Sequence, residues 1–212
     1  MRNSFVKTIT ELALNDKRIV LLIGDAGSGL FDDLKKGAPN QFINAGIAEA
    51  NMVTVAAGLA RAGFIPFVYA IGAHLVYRAY EQIRNDLCLN FMNVKLVSVG
   101  SGLHYADHGP THHSTEDFGV LRVLPNMKIF SPSGDYDAEL LTRLVSEDFG
   151  PAYIRLGRGG GDETHFPGCT KQQQYVCAGR VSLPTTMRAQ PSISFTGTRD
   201  IAHYSNDNSG YS

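Results

Sequence analysis

Four short, nearly continuous apolar runs constrain this chain more than any other feature: Arg18-Ile-Val-Leu-Leu-Ile-Gly24, Ile65-Pro-Phe-Val-Tyr-Ala70, Val94-Lys-Leu-Val-Ser-Val99 and Met127-Lys-Ile-Phe130. A strand with one solvated face alternates apolar and polar residues, whereas a strand covered on both faces does not. These runs therefore read as inner strands of a parallel sheet. Between and around them lie stretches with helical periodicity: Ser4 to about Asn15, Ala48 to Ala62, Ala73 to Leu89 and Asp135 to Glu147. Ser4 or Asn3 is the expected cap of the first helix. Parallel strands need crossover connections, and helices supply them. The expected fold is α/β, an open, mainly parallel sheet with helices on both faces. Ligands of such sheets sit in the loops at the carboxyl edge. Here those loops include Gly24-Asp-Ala-Gly-Ser-Gly29 and Ser98-Val-Gly-Ser-Gly102.

With 212 residues, 43% of them hydrophobic, the chain can bury one sizeable α/β core with a small appendage. Nineteen basic residues against 20 acidic ones leave no electrostatic footprint for nucleic acid or an anionic membrane. Three cysteines, without a CxxC pair, argue against a disulfide framework or a thiolate zinc site and suit a reducing cytoplasm. The start of the chain shows no secretory h-region, and the most apolar stretch, Ala62 to Val76, is too short for a membrane span. Composition shifts near Gly159, where the run Gly159-Gly-Gly161, the triplet Gln172-Gln-Gln174 and the polar tail Tyr204 to Ser212 are turn-rich and poor in periodic apolar residues. A short hairpin around Tyr175 to Leu183 is the only regular structure expected there.

The loop Gly102-Leu-His-Tyr-Ala-Asp-His-Gly-Pro-Thr-His-His113 concentrates imidazoles. His104, His108 and His112 are four apart and would share a face of a continuous helix, as a zinc site needs. Gly109-Pro110 interrupts any such helix. Gly24 to Gly29 does not carry the GxGxxG spacing of a dinucleotide loop, so its glycines are read as turn residues.

From about Phe42 to Arg158 the chain resembles the pyrimidine-binding domain of transketolases and of the related deoxyxylulose-phosphate synthases. The segments that carry the resemblance are Phe42-Ile-Asn-Ala-Gly-Ile-Ala-Glu-Ala-Asn-Met52, Arg78-Ala-Tyr-Glu-Gln-Ile-Arg84, Gly109-Pro-Thr-His-His113, Leu121-Arg-Val-Leu-Pro-Asn-Met127 and Ala152-Tyr-Ile-Arg-Leu-Gly-Arg158, in the family's order. The resemblance implies a thiamine-diphosphate enzyme in which Glu49 hydrogen-bonds the aminopyrimidine N1′ and so activates the cofactor. A glutamate in the first turn of a helix entered through Gly46 can sit in a partly dry place, which favours the neutral acid. The helix macrodipole alone would also favour a glutamate there.

The resemblance further places His112 at the substrate, where an imidazole can move protons on sugar hydroxyls. It gives His74 the position of the wall against which the aminopyrimidine stacks, with Tyr77 and Tyr69 as neighbouring alternatives. Asp25 falls among the cofactor-contacting residues, and His104 and His108 face the substrate. His108 stands where transketolases usually have an acid, with Asp107 one place earlier. Arg158 is the expected phosphate anchor, with Arg155 as the fallback.

The same family holds Mg2+ and the diphosphate on a separate domain through a Gly-Asp-Gly and a later Asn. Gly24-Asp-Ala26 lacks the second glycine. The resemblance therefore implies a diphosphate-binding partner subunit that binds Mg2+, with thiamine diphosphate shared at the interface of a homo- or hetero-oligomer. Residues 1–160 form the pyrimidine-binding domain in this reading. Residues 161–212 form an irregular tail or the remnant of a C-terminal domain. The implied reaction is transfer of a two-carbon ketol unit between sugar phosphates. Decarboxylation of a 2-oxo acid on the same fold and a non-catalytic regulatory subunit are the alternatives.

Overall fold

The computed structural model describes residues 1–27, 29–157 and 176–178. Seven strands form one sheet in the order β2-β1-β3-β4-β6-β5-β7. Helix α1 (Arg2–Asn15) leads into β1 (Ile19–Ile23), helix α2 (Asp32–Gly37) and the edge strand β2 (Phe42–Asn44). Helix α3 (Glu49–Arg61) crosses to β3 (Ile65–Ile71). A helical stretch follows, in which α4 (Tyr80–Gln82) lies between two π-helical segments, His74–Arg78 and Ile83–Cys88. Then come β4 (Lys95–Val99), α5 (Asp117–Leu121), β5 (Lys128–Ser131), α6 (Asp135–Glu147), β6 (Ala152–Leu156) and β7 (Val176–Ala178). The first six strands pair in parallel, and β7 adds antiparallel to β5.

The expected class is what folds, and the continuous apolar runs have the expected cause. In β1, Ile19, Leu21 and Ile23 join Phe5, Ile9, Phe67, Tyr69, Ala138, Leu141 and Val145 on the α1/α6 face. Val20 and Leu22 point the other way, to Met52, Val53 and Ala56 of α3 and to Leu75, Ile83 and Leu87. Each fully buried aliphatic side chain contributes about 1.5–3 kcal/mol of hydrophobic stabilisation, so neither face of these strands tolerates polar alternation.

Some expectations need correction. Helix α1 starts at Arg2 with Met1 as its cap, so neither Ser4 nor Asn3 caps it; Ser4 lies inside, its carbonyl accepting a hydrogen bond from Thr8 Oγ1 at 2.8 Å. The amino terminus is paired with Asp135 at the start of α6. The helix expected from Ala73 to Leu89 is present as a mixed π and α stretch. Strand β7 falls within the hairpin expected at 175–183, and its described partner is β5; the rest of that hairpin and the boundary at Gly159 lie outside the described residues. No described helix is long and apolar enough to cross a membrane.

Candidate active site

The carboxyl ends of β1, β2, β3 and β4 open onto one edge of the sheet, and α3 begins there. Gly46 adopts φ 71, a left-handed conformation suited to glycine, and a Cβ added to it would meet nothing within 4 Å. Its amide donates to Asn44 Oδ1 at 3.0 Å, and Asn44 Nδ2 donates to Asp25 Oδ1 at 3.0 Å. Asp25, itself at φ 53, thus steadies the turn that feeds the helix. Gly27 is a turn glycine as expected, since a Cβ there would lie 2.9 Å from Leu30.

Glu49 is the first residue of α3, capped by Ala48. Its side chain is only 2% exposed. Arg78 Nη1 donates to Oε2 at 2.6 Å, and His74 Nδ1 lies 4.0 Å from Oε1. Both partners come from the π-helical segment His74–Arg78, whose ends both face the carboxylate; π-helical turns of this kind recur at functional sites. The pairing of Arg78 with Glu49 is absent from the sequence reading, although Arg78 opens one of the motifs. Its four-residue spacing from His74 is the signal that could have found it.

Burial, then the Arg78 and His112 charges, hold the His74 pKa below its ordinary value, against the opposing pull of Glu49. His74 packs edge-on against His112 with ring centroids 4.8 Å apart, and His112 lies 5.2 Å from His108. Tyr105 packs against both, 5.5 Å from His108 and 6.2 Å from His112. The histidine loop carries two 3-10 turns, Ala106–His108 and Pro110–His112, separated by Gly109 at φ 80, so no continuous helix runs through it. Glu49, His74, His112 and His108 therefore form one cluster.

Other expected residues stand apart from that cluster. Tyr77 is exposed; its hydroxyl donates to Glu116 Oε2 at 2.8 Å and accepts from the Glu116 amide at 3.1 Å. Partial burial, then the Glu116 carboxylate, push the phenol up to about 12, against the Glu116 amide, which pulls it down. Tyr69 is buried in the opposite core with Phe5 and Phe31, so it cannot be the wall beside Glu49. His104 bonds back to Ser101, its Nδ1 2.7 Å from the Ser101 carbonyl, and its ring lies beside Gly157. Arg155 is not free to grip a phosphate with its Nε, which donates to buried Asp117 at 2.7 Å. Arg158 lies outside the described residues.

Residues 1–161 match the transketolase, pyrimidine binding domain family. Over 158 residues the chain is 40% identical to one subunit of the apulose-4-phosphate transketolase of Phocaeicola vulgatus, covering 74% of this chain and 51% of that protein. It is 38% identical over 159 residues to 1-deoxy-D-xylulose-5-phosphate synthase of Thermosynechococcus vestitus, covering 74% of this chain and 25% of the synthase. A solved split-gene transketolase, described as an inactive beta4 tetramer, superimposes with a TM-score of 0.70 at 36% identity over 81% of this chain and 56% of that one. The chain thus spans about half the length of the transketolase subunit it matches, and about a quarter of the synthase. With the fold, the buried glutamate and the matched residues in agreement, the chain belongs to the transketolase pyrimidine-binding domain family.

Proposed function

We propose that this chain is the pyrimidine-binding subunit of a two-chain, thiamine-diphosphate-dependent transketolase that moves a two-carbon ketol unit between sugar phosphates. The observation that carries the proposal is the Glu49 carboxyl group, buried at the carboxyl edge of the sheet beside an open glycine turn and an imidazole wall. These residues fit the aminopyrimidine end of the cofactor. When bound, thiamine diphosphate supplies a nucleophilic carbon and an electron sink for cleaving the bond between C2 and C3 of a ketose.

The protein's own residues divide the remaining work. Glu49 Oε2 is occupied by Arg78, so Oε1 is the oxygen left to hydrogen-bond the ring nitrogen. His74 forms the wall beside it, a role that falls to His74 ahead of Tyr77, whose hydroxyl is tied to Glu116. Asp25, through Asn44, keeps the Gly46 turn in place under the cofactor. His112, with His108 next to it, moves protons on substrate hydroxyls and His104 contacts the same substrate, while the phosphate is assigned to Arg158 on the family motif alone. Imidazole suits that task because it changes charge near neutral pH.

The acid and amide that bind Mg2+ and the diphosphate are assigned to a partner subunit. Two findings support this division: the chain corresponds to about half of a relative that is itself one subunit of a transketolase, and a solved relative is a split-gene transketolase described as an inactive beta4 tetramer. The synthase relative supports a second reading, decarboxylation of a 2-oxo acid by the same cluster.

The test mixes this chain with a diphosphate-domain partner, thiamine diphosphate and Mg2+, and follows ketol transfer from a ketose phosphate to an aldose phosphate. Glu49→Gln should lower kcat by about 10²–10⁴-fold, the usual contribution of a positioned acid. Turnover of 2-oxo acids alone would select the synthase reading. A pair that binds cofactor yet turns over no ketose phosphate or 2-oxo acid would leave a regulatory subunit.

A further inference from the structure

The histidine loop is built mostly from local turns. His104 N donates to Ser101 O, Ala106 N to Leu103 O, His108 N to Tyr105 O and His112 N to Gly109 O, each within three residues. Such bonds shape the loop without fixing where it stands on the sheet. Its position is set at its base. There Gly102 and Ser114 exchange both backbone hydrogen bonds, at 3.0 and 2.9 Å, closing residues 102–114 into a neck.

A buried polar network grips that neck. Asp117, fully buried at the start of α5, accepts at Oδ2 from Arg155 Nε at 2.7 Å, Tyr153 Oη at 2.8 Å and Ser114 Oγ at 3.1 Å. Arg155 Nη2 reaches past it to the Ser114 carbonyl at 2.9 Å, the same carbonyl that accepts from Gly102. Tyr153 Oη is also 2.7 Å from Ser98 Oγ, which joins the network to β4 as well as β6. Gly72, just after β3, leaves no space for a side chain against Ser114, whose Oγ would be 2.8 Å from an added Cβ. The carboxylate therefore clamps the neck to β6 directly and to β4 through Tyr153, while Gly72 packs against Ser114 from the end of β3. A buried charge with this many donors is costly to leave incomplete, so the network specifies one geometry.

We propose that Asp117 is a positioning residue: through Arg155, Tyr153 and Ser114 it fixes the neck of the 102–114 loop so that His108 and His112 stand against His74 and Glu49. Its catalytic consequence rests on the reading of that loop as substrate-facing; its structural consequence does not. Asp117 touches none of the four clustered residues. It acts only through the neck.

The experiment compares hydrogen exchange of the full chain with Asp117→Asn and with the milder Tyr153→Phe, which removes one donor and guards against a first variant that fails to fold. Amides of residues 103–113 should exchange about tenfold faster in Asp117→Asn and less so in Tyr153→Phe, while β1, β3 and β4 keep their protection. Unchanged loop exchange, or protection lost equally across the sheet, would overturn the proposal. With the partner subunit and cofactor, both variants should lower kcat while cofactor affinity is retained. A loosened loop with undiminished kcat would also overturn the positioning role. A wild-type pair without activity would instead refute the proposed function and leave the exchange result standing.

Discussion

Glu49 and Lys95 are both buried ionisable side chains, at opposite edges of the same parallel sheet, and they are satisfied in different ways. Lys95 opens β4 at the amino edge, fully buried, with Nζ donating to the carbonyls of Asp148 at 2.6 Å and Gly150 at 2.7 Å. Those acceptors are backbone, fixed by the junction of α6 and β6. Glu49 opens α3 at the carboxyl edge, and its partner is the end of a flexible arginine that is 47% exposed. Backbone acceptors cannot leave, so Lys95 is part of the fold. A guanidinium that reaches water holds only Oε2, so Glu49 keeps Oε1 available to a ring nitrogen.

That contrast predicts different failures. Lys95→Met leaves two carbonyls unpaired in a dry place and should destabilise the chain by about 2–4 kcal/mol. Glu49→Gln keeps an acceptor for Arg78 and should change stability by less than about 1 kcal/mol. Urea unfolding of both variants measures the difference; equal losses would erase the distinction. Lys95 also sets a pH dependence. Burial lowers its pKa to about 7 from an ordinary 10.5, with Asp148 pulling the other way. A neutral amine still has two N–H groups for the two carbonyls. Between those pH values the unfolded chain binds the Lys95 proton more often than the folded one, so stability climbs with pH. Lys95→Met should lose that climb between about pH 7 and the ordinary lysine value of 10.5.

The same contrast separates what could be read from the sequence from what could not. Helix α6 was legible from end to end because Ala138, Leu141, Thr142 and Val145 repeat at helical spacing and bury together. The inner strands were legible because burial on both faces leaves an unbroken apolar run. Strand β2 has three residues at the sheet edge, none fully buried, and carries no such run. Helices α2 and α5 are one to two turns long, too short for a period to show. At the site, Glu49, His74 and His112 came from a motif. Asp117 could not have, because Tyr153 and Arg155 lie 36 and 38 residues away and nothing local marks it. Arg78 lay within a motif, but its pairing with Glu49 spans 29 residues and exists only in the fold.

Arg78→Met sharpens the comparison from the other side. Removing one member of a buried pair leaves the other charge without compensation, a loss of about 3–5 kcal/mol for fully enclosed pairs. Arg78 is nearly half exposed, and water can enter where it leaves, so a loss of about 1–2 kcal/mol at about pH 8 is expected. Urea midpoints measure it. A loss as large as that of Lys95→Met would mean that the arginine is as fixed a part of the fold as the Asp148 and Gly150 carbonyls.

The smallest expected effect belongs to His74, which faces Glu49, Arg78 and His112. Its pKa is held below the ordinary value, so as pH falls the unfolded chain takes up the His74 proton before the folded one does. Stability attributable to His74 is therefore lost on acidification through its ordinary value of 6.5. His74→Phe removes the titration and keeps an aromatic wall. The variant should lose less stability than the wild type between about pH 7 and about pH 5, with the other histidines common to both chains. Equal losses would show that His74 accepts its proton as freely as in the unfolded chain, which requires the Glu49 carboxylate to offset burial and the Arg78 and His112 charges. In that case Glu49 would hold a charged imidazole as well as a charged guanidinium, and Oε1 would no longer be free for a ring nitrogen.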